Sequence, residues 1–557
     1  MKKVYIACII LSLIFLCNLN AQVQTVGLFT HQSGSEDDGY VLFAPFTSDT
    51  TFLIDKCGRL VHKWGSAYTP GLDAYILPDG SLLRAGHYPN IVFDQSAGSE
   101  GGIIERYDWN GNLLWHYVVC NATETQNHDI YPMPNGNILL AVWEVISDSE
   151  ALASGRDPSN LGSSLWSGKI IELEPVGTDS AIIVWQWRFW DHLVQDYDSA
   201  KPNYGVVADH PELLNLNYAN ISFYGPAYTD WLHLNQVTYN PKLDQIMISS
   251  HNLSEIYILD HSTTISQAAT HTGGTHNKGG DFLYRWGNPA AYNRGVLADE
   301  KLFQQHDPTW ITIGKYANQI LIFNNGLGRP GGNASSVDII NPPVDSFGNY
   351  ALTSGQAYEP DSLAWTYQST NPGSFFSAYM GGAQILPNGN ILISEAMEGN
   401  LFEIDSSKNI VWKYIDPIEG NLRLSQDSEV TYSENATYRC TFYPSSYSGF
   451  AGLNLSRGTA PIEQNPLAYS CDLNTGIASI NLNTEVAQIF PNPADTKVTI
   501  KMGDLNSIII NDITGRKIVN KKLAHTNEAF INTSDLPSGI YILCVNGSQN
   551  RKIVVKH

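Results

Sequence analysis

Three histidines stand at matching places in the chain. His128 lies in NHDIYPMPNGN at 127–137, His233 in DWLHLNQVTYNP at 230–241 and His306 in QQHDPTW at 304–310. Each sits at the mouth of a strand-like run. Imidazole can act as nucleophile, base or acid near neutral pH, so three at equivalent positions of a repeat make an active site if the fold brings them to one axis. Asp129 and Asp307 each follow one of these histidines, and either is suited to orient an imidazole. His251, in SSHNLSE at 249–255, follows another run and either reaches the same axis or caps a turn. Arg329 lies on the glycine-rich loop IFNNGLGRPGG at 322–332. Its planar fork of donors suits a sulfate or phosphate ester, and an ordinary loop arginine is the equal alternative for the residue alone. His62, His87 and His116 read as structural. His271 and His276, in the loop HTGGTHNKGGD at 271–281, are not assigned to a metal.

The elements that must carry these residues repeat. One unit reads ILPDGSLL at 76–83, PMPNGNILLA at 132–141 and ILPNGNILIS at 385–394. A tight turn with a positive-φ glycine precedes an alternating strand in each. A second unit reads IIERYDWNGNLLWHY at 103–117, LFEIDSSKNIVWKY at 401–414 and TFLIDKCGRLVHKW at 51–64, two strands around an Asp-led turn. Looser copies fill the rest. Such hairpins in series build four-stranded propeller blades. The count predicts a six-bladed β-propeller, or seven blades if two are merged. The hairpin at 51–64 is then completed from 436–444, and each blade's first strand lines a central channel.

Composition agrees with an all-β protein: charged residues are only 15%, whereas Gly, Tyr and Trp are plentiful. The formal charge is −22, yet 488–557 holds nine Lys/Arg against five Asp/Glu, so the body is strongly acidic. That excludes nucleic acid as a partner and disfavours long-range attraction of anions, so any anion site must be local. Lys2 and Lys3 before an apolar run predict a signal peptide over 1–21, and no segment reads as transmembrane. Five cysteines lie beyond it, and Cys440 with Cys471 is the first pairing to consider.

The expected domains are the signal at 1–21, a propeller at 22–466, a linker at 467–487 and a small β-sandwich at 488–557. The last carries a PNP turn at 491–493, a D-x-x-G-R hairpin at 512–516 and a G-I-Y strand from Gly539. In combination these resemble the C-terminal sorting domain of type IX secretion substrates. That implies engagement of the type IX machinery and export through periplasm and outer membrane to the surface or medium.

The histidine segments carry a second resemblance. DWLHLNQVTYNP is similar to the W-x-H-x-N motif of aryl-sulfate sulfotransferases, and QQHDPTW with IFNNGLGR is similar to their second histidine and loop arginine. Those enzymes are six-bladed propellers that move a sulfuryl group from a phenol ester to a phenol acceptor. The group rests on a histidine, without nucleotide donor, cofactor or metal. The resemblance implies catalytic roles for His233, His306 and Arg329 around the sulfuryl oxygens. It departs at the nucleophile, because FFSAYMGGAQILPNGN at 375–390 contains no histidine. His128 is the candidate substitute from another blade, with Ser377 or Tyr379 as channel-facing residues of the segment itself. His251, Asn235 and Tyr379 are expected to bind substrate. The alternative is a non-catalytic surface propeller that binds a ligand, glycan or protein.

Overall fold

The computed structural model describes residues 23–90, 92–93, 101–162, 164–218, 228–371, 373–430, 432–467, 471, 487–512, 516–546 and 549–557. The expected signal peptide and most of the expected linker lie outside them. The chain divides into two compact units, Met1–Asp472 and Leu473–His557.

The repeated turns form as their chemistry dictates. In the three P-D/N-G copies the glycines take φ of +82° (Gly80), +92° (Gly136) and +88° (Gly389), a region costly for residues with a Cβ. Each is closed by the same pair of bonds, such as Gly80 N–H to Leu77 O at 2.9 Å and Leu77 N–H to Ser81 O at 2.8 Å. In the second unit Asp108 Oδ1 accepts from the amides of Asn110 and Asn112 at 2.8 Å, and Asp405 does the same for Ser407 and Asn409. These Asx turns fix the hairpin register.

The first unit contains six four- or five-stranded antiparallel sheets among the described residues. Their leading strands are Thr437–Pro444, Pro70–Ile76, Glu124–Pro132, Leu234–Asn240, His306–Trp310 and Gly382–Ile385. Each touches the leading strand of the next sheet, and the last touches the first, so the cycle closes. The fold is an all-β propeller. Closure joins both ends of the unit, because Thr437–Pro444 pairs with Gly39–Pro45, which pairs with Thr50–Asp55. Gly39–Pro45 thus lies between the predicted hairpin and its predicted partner. Gly27–His31 adds an outer fifth strand to the last sheet.

Cysteine pairing differs from the first expectation. Cys57 and Cys471 form the disulfide, with Cα atoms 6.0 Å apart, and Cys440 is a free thiol. Cys440 lies on a leading strand, packed against the core between the closing sheet and the last one. Cys57 sits on an outer turn, where the chain arrives after closing the ring.

The second unit is one five-stranded sheet. Its long strands Lys497–Asp512 and Lys517–Asn532 shift register near Leu505, and a bridge between Ala494 and Val555 links its far edges. The sandwich is therefore made by wrapping one sheet around a core of residues such as Ile500, Leu505, Leu543 and Ile553.

Candidate active site

At one mouth of the ring the leading strands lose register. Shifts fall between the partners of residues 70–74, 126–130, 234–236 and 306–309. Bulges re-aim side chains in this way, and the cost is visible in the backbone: Leu72, His128, His233, Asp307 and Met380 all have positive φ, between 46° and 91°. Backbone strain gathered at one mouth of the ring makes that mouth the place to look for function.

Four imidazoles meet there. Ring centroids lie 4.5 Å apart for His128 and His233, 4.9 Å for His233 and His251, and 5.4 Å for His251 and His306. They share a cavity of about 540 Å³ with Leu72, Tyr228, Tyr379, Met380 and Met397 in its walls. Trp143 packs beside His128 and His233. The cup has the size and apolar walls for one aromatic ring with a polar substituent.

The tautomers follow from the hydrogen bonds. Asn127, Asn252 and Asn325 each donate their amide N–H to a main-chain carbonyl, of Leu234, Asp230 and Ser377 respectively. Each therefore turns its Oδ1 toward an imidazole Nδ1: His128, His251 (2.8 Å) and His306 (2.8 Å). An amide oxygen only accepts, so the proton sits on Nδ1 and the Nε2 lone pair is left on the other side. In His306 that lone pair accepts the Met380 N–H at 3.3 Å. His233 is held instead by a carboxylate, with its Nδ1 bonded to Asp230 Oδ2 and its main-chain N–H to Oδ1 at 3.2 Å. Asp230 is buried.

Burial, reinforced by the neighbouring imidazoles, holds His128 and His251 well below the usual histidine range. Burial likewise lowers His306 to about 3, against the pull of its Asn325 bond. These rings are uncharged at neutral pH. Tyr228 goes the other way: burial raises its phenol to about 12, so it remains an O–H donor.

Beneath the histidines a polar plug fills the axis. Arg439 Nη1 meets Asp307 at 2.9 Å and Asp73 at 3.9 Å, and Nη2 meets Asp129 at 3.2 Å. It also donates to the Tyr438 hydroxyl at 2.9 Å. One guanidinium cannot balance three buried carboxylates. Burial accordingly raises Asp129 well above the ordinary range and Asp307 to about 6, with Arg439 opposing both. A second cavity of about 330 Å³ has Arg439 and Cys440 in its wall and none of the four histidines.

Comparison with known proteins decides the family. The family model for Arylsulfotransferase (ASST) matches residues 47–439, well over half of the chain. The chain belongs to the arylsulfotransferase (ASST) family. The model for the secretion system C-terminal sorting domain matches residues 488–556, so this ASST-family protein carries a type IX sorting domain and is exported to the cell surface or secreted. No helix among the described residues is long and apolar enough to cross a membrane. No curated protein matches the chain. Similar solved structures include a protein of unknown function from Bacteroides caccae, with 10% identity over 73% of this chain and 98% of that one and a TM-score of 0.37. Another is the periplasmic gluconolactonase of Pseudomonas aeruginosa, with 9% identity, coverage of 89% and 99%, and a TM-score of 0.34. Likenesses this remote carry no argument about activity.

Within this ASST-family propeller, the expected residues divide. His128, His233, His251, His306 and Tyr379 line the one cavity. Asn235 does not: it is buried, and its amide donates to Gln305 O at 2.7 Å, stapling adjacent leading strands. Arg329 is also outside the lining. Its Nη2 donates to Ser336 Oγ at 2.8 Å, with Phe303 under the guanidinium. Ser377 is buried, its hydroxyl donating to Tyr379 O. Asp129 and Asp307 bind Arg439 and orient no imidazole, because successive strand residues leave on opposite sides. The sequence reading missed Asp230, the three imidazole-holding asparagines and Arg439. Asp230 is signalled by D-x-x-H, and Asn127 and Asn252 by adjacency to histidine. Asn325 is 19 residues from His306 and leaves no local signal.

Proposed function

We propose that the cup binds a phenolic sulfate ester and transfers its sulfuryl group to a phenol acceptor, with His233 as the carrier. The observation behind this reading is the Asp230–His233 pair at the wall of an aromatic-sized cavity. The carboxylate orients the ring and stabilises the positive charge that develops when Nε2 bonds to sulfur. In the first half-reaction the Nε2 lone pair forms the N–S bond while the aryl S–O bond breaks. The phenoxide departs as the anion while accepting a hydrogen bond from a wall hydroxyl, for which Tyr228 and Tyr379 are placed. In the second, the acceptor phenol releases its proton to solvent, its oxygen attacks sulfur and the N–S bond breaks. His128 and His251 flank His233, where protonation on arrival of the anion supplies donors to the sulfuryl oxygens.

This places the carrier on a different blade from the histidine-free segment 375–390. A second reading, ligand binding without turnover, is favoured by that segment and by the tie between Arg329 and Ser336. Purified protein with p-nitrophenyl sulfate and a phenol separates the two. Acceptor-dependent nitrophenol release, abolished in His233→Ala and lowered up to about 10⁴-fold in kcat by Asp230→Asn, supports transfer. Saturable binding without release selects the second reading.

A further inference from the structure

A separate cluster lies at the outside of the ring, between the third and fourth sheets. His192 follows the outer strand Ser180–Arg188 and is wholly buried, its ring stacked on Trp187 at 5.5 Å. His271 and Asp281 belong to the connection between the strands Glu255–Asp260 and Tyr284–Trp286 of the fourth sheet. Asp281 Oδ1 lies 2.8 Å from His192 Nδ1 and 2.7 Å from His271 Nδ1. The three atoms lie within 4.8 Å of one another.

The protonation pattern at His192 is set by its other nitrogen. Nε2 lies 2.8 Å from the carbonyl of Ala268. A carbonyl only accepts, so the ring proton resides on Nε2 and the neutral ring points its Nδ1 lone pair at the Asp281 carboxylate. Two electron-pair donors at that spacing repel unless a positive charge lies between them. A proton or a metal ion meets the requirement, and the third donor, His271 Nδ1, converges on the same point. A backbone acceptor behind a ligating imidazole is the usual outer-shell partner of a metal-bound histidine.

We propose that His192, His271 and Asp281 form a site for a divalent transition-metal ion of the zinc type. Two imidazole nitrogens and one carboxylate oxygen suit zinc rather than calcium or magnesium, which prefer oxygen alone. Tetrahedral zinc, at about 2.0–2.2 Å from each donor, sets them about 3.3 Å apart, roughly half an ångström wider than the hydrogen-bonded spacing. His271, with its side chain 58% exposed, supplies that adjustment on its own side, the buried His192–Asp281 pair must open by the same amount, and the fourth position is left to water. The backbone is shaped for the close approach: a Cβ on Gly280 would lie 2.5 Å from His192 Nε2 and 2.1 Å from Ala268 O. The ion would pin this connection to the neighbouring sheet.

The test uses untagged, disulfide-oxidised full chain, stripped with chelator and titrated with Zn²⁺ by calorimetry, with metal content read by elemental analysis. The expected result is one equivalent bound, with weakening of about tenfold or more in His271→Ala. That substitution is at an exposed side chain and leaves the core intact. Zn²⁺ should raise the melting temperature of the wild type, and the rise should be lost in His271→Ala and in Asp281→Asn. Wild-type protein that takes up less than about a tenth of an equivalent overturns the proposal, in favour of a proton bridge. Uptake unchanged in both variants also overturns it and places the metal elsewhere, the four-histidine cup included.

Discussion

Three of the cup histidines, His128, His251 and His306, are built as neutral bases rather than as cations. Three asparagines, each pinned by a main-chain carbonyl, dictate which nitrogen carries the proton, and burial removes the charge. An anionic ester reverses the balance, since its charge favours imidazolium. The sign follows. His128, His251 and His306 start below the usual histidine range and rise on binding, so the complex holds more protons than the free protein and affinity grows as pH falls. We expect p-nitrophenyl sulfate to bind His233→Ala protein more tightly at pH 5 than at pH 8. The gain should reach up to about tenfold per pH unit per proton taken up. Calorimetry in buffers of different ionisation enthalpy counts those protons, and a flat affinity profile would sink the idea.

At the scale of elements, the leading strands do two jobs. Their bulged ends aim the histidines, and asparagine side chains tie three pairs of neighbouring segments around the mouth. Asn127 reaches Leu234 O, Asn235 reaches Gln305 O and Asn325 reaches Ser377 O. Further in, Arg439 gathers carboxylates from three other strands. Removing it leaves buried carboxylates without a counter-charge, a loss of about 3–5 kcal/mol. Arg439→Met should therefore lower the urea midpoint sharply at pH 7.5. The loss should shrink toward pH 5, because Asp129 and Asp307, raised by burial, then take up protons and need the guanidinium less. Equal destabilisation at both pH values would show that the plug acts by packing alone.

Over the whole molecule, the propeller is closed by pairing its last strand with an early one and by the Cys57–Cys471 disulfide. The sorting unit has its own core. Deleting 488–557 should leave the melting temperature of the propeller within a few degrees and leave nitrophenol release unchanged, while the truncated chain accumulates in the periplasm. Cell fractionation with an activity assay checks both halves. Loss of folding in the truncated chain would refute the independence of the two units.

Much of this was legible in the sequence because it is local. A P-N-G-N turn, an Asp-led hairpin and an alternating strand depend on a few neighbouring residues, so their repetition announces a propeller and the PNP and G-I-Y segments announce the sorting unit. The matched positions of His128, His233 and His306 were legible for the same reason, since equal places in a repeat become equal places around an axis. The partners of those histidines were not. Asn325 reaches His306, Arg439 reaches Asp129 and Cys57 reaches Cys471 only after the ring closes, across 19, 310 and 414 residues. Arg329 and Asn235 fit a motif, but a one-residue alternation and a nearby serine turn them away from the cup. Which side chain faces the cavity is settled by strand direction and by competing hydrogen bonds, and those exist only in the folded ring.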